Sequence, residues 1–93
     1  MPILERLIKE ILKGTGALLA SARERDTQQG ILVYERVMEK LGALKGENEI
    51  RKVLDYLSRS LSGIEAHGYF THAEWKIVQE LHEKIRAYLE EFS

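Results

Sequence analysis

A chain of 93 residues makes one domain, 1–93, and with 44% hydrophobic and 31% charged residues it reads as globular, not disordered. The formal net charge of -1 argues against a general attraction to nucleic-acid backbones or anionic lipid, and the absence of cysteine excludes disulfides and thiolate metal sites.

The chain opens with Pro2, tolerated in a first helical turn because its missing amide hydrogen would be unpaired there anyway. Leu4, Leu7, Ile8, Ile11 and Leu12 form a helical stripe, with Glu5, Arg6, Lys9 and Glu10 on the other side. These charges also break any apolar run that could serve as a secretory signal with the ALLASA stretch at 17–22. No stretch approaches the roughly 18 apolar residues of a membrane span. The expected location is therefore the cytoplasm. Gly14-Thr15-Gly16 weakens the helix by about 1 kcal/mol per glycine. Leu18, Leu19 and Ala22 can resume the stripe, so the helix either ends near Lys13 or bends and runs on, and the glycines favour a bend or a break.

Residues 21–30 (SARERDTQQG) are the most polar stretch and read as the first connection, with Asp26 as a cap for the second helix and Gln29 at its third position. That helix carries Ile31, Tyr34, Val37, Met38 and Leu41, Tyr34 packed with its hydroxyl at the rim and Met38 as a gap-filler. Residues 44–48 (LKGEN) supply a turn at Gly46 and a cap at Asn48. The third helix shows Ile50, Val53, Leu54, Leu57, Leu61 and Ile64, and Gly68 offers a left-handed residue to end it.

The sharpest local signal follows, within residues 68–92. Thr71 can accept a hydrogen bond from the Glu74 amide while the Glu74 carboxylate returns to the Thr71 amide, a capping box. Phe70 and Trp75 flank it where a hydrophobic staple belongs. Trp75, Val78, Leu81, Ile85, Leu89 and Phe92 then mark the apolar stripe of a fourth helix. Four amphipathic helices with short connections predict an all-α antiparallel four-helix bundle. Its expected core comprises Leu7, Ile11, Val37, Leu41, Val53, Leu57, Leu61, Trp75, Val78, Leu81 and Ile85.

Few residues carry a chemical signal. His67 and His72 are separated by Gly68, and His82 is about 1000° of helical rotation beyond His72, so the three do not make a zinc set. Carboxylates such as Glu80 and Glu83 alternate with Lys84 and Arg86 as on a solvated helix face, and no glycine loop follows a strand. The expectation is no enzyme, no metal and no cofactor. His67, Tyr69 and His72, beside the rigid start of the fourth helix, are instead candidate partner-binding residues at one end of the bundle.

The order of features resembles the immunity proteins of the pediocin-like (class IIa) bacteriocins. The likeness covers nearly the whole chain as a helix pattern. It rests on a second helix reading ILVYERVMEKLGAL, a third reading IRKVLDYLSRSL, the Phe70-Thr71-His72-Ala73-Glu74 junction and the fourth-helix hydrophobics. The resemblance implies a small cytosolic four-helix bundle without catalytic residues. It also implies a partner: the bacteriocin-bound membrane receptor, a sugar phosphotransferase permease, recognised from the cytoplasmic side so that pore formation is prevented. Specificity in that family lies largely in the carboxyl-terminal half, and several members carry a tail beyond the fourth helix where this sequence reads Phe92-Ser93. The alternative reading is a small helical adaptor, chaperone or regulatory subunit that binds a partner helix.

Overall fold

The computed structural model describes residues 2–43 and 46–92, without the side chains of residues 2–4, 47 and 92. Leu44, at the head of the second connection, and the side chains of Leu4 and Phe92 in the apolar stripes lie outside the described residues. Four helices, α1 (Pro2–Glu24), α2 (Ile31–Gly42), α3 (Glu47–His67) and α4 (His72–Phe92), follow in order, and no strand occurs among the described residues. Each helix packs on its two neighbours, α1 on α2 and α4, α3 on α2 and α4, which closes a four-helix bundle. Two pairs along α1 and α4, Arg25 with Glu74 and Glu10 with Lys84, show that these helices run antiparallel, and the short connections turn each successive helix back along the last. At 1.5 Å per residue the three long helices each extend about 30–35 Å, nearly the full 37 Å of the molecule.

Ile11, Val37, Leu41, Val53, Leu57, Leu61, Val78, Leu81 and Ile85 are buried together, as the periodicity predicts. Ile8, Leu18, Leu19, Tyr34, Ile50, Leu54 and Tyr88 join them, while Leu7 is only half-buried at the margin. Trp75 is a correction: its side chain is only partly buried and stands outside the core. The buried line of α4 runs Glu74, Val78, Leu81, Ile85 and Tyr88, so residue 75 is rotated about 100° away from it. The same rotation places Tyr88 inside and leaves Leu89 half-buried.

The first helix settles one of its two alternatives: it does not end near Lys13, and α1 continues through Gly14-Thr15-Gly16 to Glu24. Two contacts explain why. A Cβ on Gly14 would lie 2.9 Å from Leu81 Cδ2, so the bare backbone lets α4 approach closely. Thr15 is fully buried, and its hydroxyl donates to the Ile11 carbonyl at 2.8 Å, so this buried hydroxyl is satisfied within its own helix.

The connections also differ from expectation. Asp26 does not cap α2. It ends α1 in the left-handed region with φ 55, where the Asp26 amide donates to Arg23 O and the Thr27 amide to Ala22 O, both at 3.1 Å. That pair of bonds is a Schellman motif. Gly30, with φ 80, precedes α2 instead. Asn48 lies inside α3, which Gly46 precedes without a side-chain cap. Gly68 is extended, not left-handed, with its amide bonded to Ile64 O.

Two glycine replacements separate helix propensity from packing. Gly63, mid-α3, has open space where a Cβ would go, so Gly63→Ala should stabilise the protein by about 0.5–1 kcal/mol. Gly14→Ala gains the same propensity but must displace the buried Leu81, which costs about 1–3 kcal/mol. Urea melts should place the Gly63 variant above the parent and the Gly14 variant at or below it.

Candidate functional site

The end of the bundle where the α1–α2 and α3–α4 connections meet contains the densest polar network in the described residues. It begins with the predicted capping box. The Thr71 amide donates to Glu74 Oε1 at 2.9 Å, and the Glu74 amide donates to Thr71 Oγ1 at 3.1 Å. Glu74 holds the first buried position of α4 and is only 2% exposed. Its charge is matched by Arg25, whose Nε donates to Oε2 at 3.2 Å while the second guanidinium nitrogen lies 2.9 Å from Oε1. This two-point fork is the strong form of an arginine–carboxylate pair.

Burial by itself would raise the Glu74 pKa. Hydrogen bonds from Ser21, the Thr71 amide and Arg25, with the Arg25 charge, outweigh burial and hold it below the ordinary 4.5. Tyr34 packs beside this pair and feels the opposite effect. Burial foremost, then the Glu74 charge, push its phenol up to about 12 against a smaller lowering by Arg25. The Tyr34 ring also covers Gly30. A Cβ there would stand 2.7 Å from the ring, and the positive φ already favours glycine.

Gln29 ties the two connections together. Its carboxamide accepts from the Tyr69 amide at 2.9 Å and donates back to the Tyr69 carbonyl. A Cβ on Gly68 would collide with that carboxamide, which accounts for glycine at an extended position. Arg25 lies 5.6 Å over the Tyr69 ring, a cation–π distance. Tyr69 is thus held by backbone and ring, yet its side chain is 64% exposed.

Of the predicted partner-binding residues, His67, Tyr69 and His72 are all exposed at this junction: His67 ends α3 and His72 begins α4. Phe70 is half-buried against the core, and Trp75 is partly buried outside it. The sequence reading missed Arg25, Gln29 and Tyr34 as parts of this end. One signal was present: stepping back four from Val78 lands on Glu74, and a carboxylate in a core phase calls for a distant cation. Among the described residues no three His, Asp or Glu side chains gather as metal ligands would. No helix there is long and apolar enough to cross a membrane.

Thr71→Ala removes one member of the box and should cost about 1 kcal/mol. Glu74→Gln also leaves Arg25 without its carboxylate and should cost more, about 2 kcal/mol. The sign with pH follows from the depressed pKa of Glu74. Its contribution is complete above the ordinary carboxylate range and is lost as pH falls through the lower folded value. The stability gap between parent and Glu74→Gln, read by urea melts, should stay constant from neutral pH to about 5 and close below that.

No family model, curated protein or solved structure matches the chain.

Proposed function

We propose that the protein is a cytoplasmic immunity protein of the pediocin-like bacteriocin kind, acting without catalysis by protein–protein recognition of a toxin-bound membrane receptor. The reading rests on the sequence resemblance together with a single structural observation, the fixed and exposed Tyr69. Leu32 at 80% and Tyr69 at 64% are the exposed large hydrophobic side chains among the described residues. Both belong to the end that Gln29 ties together, since Leu32 lies in the first turn of α2 and Tyr69 in the α3–α4 connection. Tyrosine is a favoured interface anchor, and an anchor already held in place loses little freedom on binding. His67 and His72 flank it as polar rim.

The test is survival of a sensitive strain expressing the protein under a panel of such bacteriocins. The parent should protect against at least one member. Tyr69→Ala combined with His72→Ala should abolish that protection while the melting transition and soluble level stay near those of the parent. Lys9→Ala with Lys13→Ala on α1 should protect fully. Full protection by the junction double variant would remove this site, and no protection by abundant folded parent across the panel would favour the adaptor reading.

A further inference from the structure

A second feature stands on a different part of the molecule and does not depend on that proposal. Between α3 and α4 lies an open groove of about 670 Å³. Its lining is unusual for where the arginines stand. Arg6, Arg23, Arg25 and Arg59 each hold a carboxylate, and Arg36 lies 6.0 Å over the Tyr56 ring. The two remaining arginines, Arg51 and Arg86, have neither an ion pair nor a ring partner among the described residues, and both line this groove. Lys52 lines it as well.

The register brings these cations to one level. Ser58 Oγ and His82 Nδ1 are 3.4 Å apart across the groove. Counting away from that pair along antiparallel helices sets Arg51 opposite residue 89 and Arg86 opposite residue 54. The two arginines are therefore offset by about 4.5 Å along the bundle axis, on helices whose axes pack about 8–10 Å apart. Both side chains are long enough to reach one ligand from opposite walls. Of the two carboxylates in the lining, Asp55 is held by Arg59 at 3.1 Å, which leaves Glu90 as the opposing charge.

We infer that this groove binds a small soluble molecule bearing phosphate. Arg51 and Arg86 take the phosphate oxygens from opposite walls, and Lys52 adds charge. The Ser58–His82 pair, one to two turns along, offers polar contacts to the rest of the ligand. Guanidinium groups are matched to phosphate by their two-point donor geometry, and an anion with several charges suits three cations better than a single carboxylate does. The groove volume falls in the range of small-molecule sites.

The probe is pyrophosphate, titrated at constant ionic strength into the intact protein and followed by amide NMR. Saturable shifts are expected at residues 51–58 and 82–90, with the remaining surface quiet. Arg51→Gln and Arg86→Gln should each weaken binding about fivefold and their combination should abolish it, as expected for charge-assisted contacts. Glu90→Gln should tighten binding, a gain that a merely structural role for Glu90 would not give. Lys9→Gln with Lys13→Gln should bind as the parent does. All these positions are exposed, and thermal melts check that the variants stay folded. Linear shifts spread over surface lysines, or parent-like binding by the double arginine variant, would overturn the inference. A second arm separates the source of the phosphate by sedimentation with phosphatidylcholine vesicles, with and without phosphatidic acid. Binding to the phosphatidic acid vesicles without any response to pyrophosphate would also overturn it.

Discussion

A carboxylate at the first buried position of α4 governs how this bundle closes. Placing Glu74 out of water costs several kcal/mol unless its oxygens are satisfied. They are satisfied from two distant parts of the chain: the Thr71 amide at the head of its own helix, and the Arg25 fork just beyond the end of α1. Helix start, helix packing and loop position are thus coupled through one side chain. Tyr34 extends the coupling to α2, because its ring packs over Gly30 and its hydroxyl lies within the field of the same charge.

That coupling has a consequence at the surface. Arg25 and Gln29 both come from the α1–α2 connection, yet they hold Tyr69 in the α3–α4 connection. Two loops that would each be loose alone share their hydrogen bonds. An exposed aromatic on such a base keeps its direction, which is what recognition by a small rigid bundle requires. Leu32 adds apolar surface at the same end.

The two sides of α4 then differ. Toward α1 the helix approaches closely, because Gly14 has no side chain to hold Leu81 away. Toward α3 lies the open groove in which Arg51 and Arg86 stand. Leu57 and Leu61 of α3, and Ile85 and Tyr88 of α4, still bury completely beneath that opening, so the groove lies above the core and does not interrupt it. Recognition through the bundle end and anion binding in the groove would therefore use separate faces.

Residues 71–74 show how far local chemistry carries. The capping box needs only four consecutive residues, and it forms as the sequence dictates. The helical stripes likewise fix the four helices and most of the core, because burial of one face at 3.6-residue spacing is written in the order of Leu, Ile and Val. Local chemistry stops where two partners are far apart in the chain. Trp75 and Glu74 fit the back-extrapolated stripe equally well by spacing, and hydrophobicity alone picks the tryptophan; Arg25, distant in sequence, reverses that choice. Gly14-Thr15-Gly16 reads as a bend or a break until Leu81 occupies the space the glycine leaves. Asp26 resembles a helix start until the carbonyls of α1 claim the amides of Asp26 and Thr27. The sequence by itself determined the helices and their apolar faces, since both follow from interactions within a few turns. Only the tertiary structure decided the rotation of α4, the continuity of α1 and the joining of the two connections, since each depends on an atom from another helix arriving at a particular place.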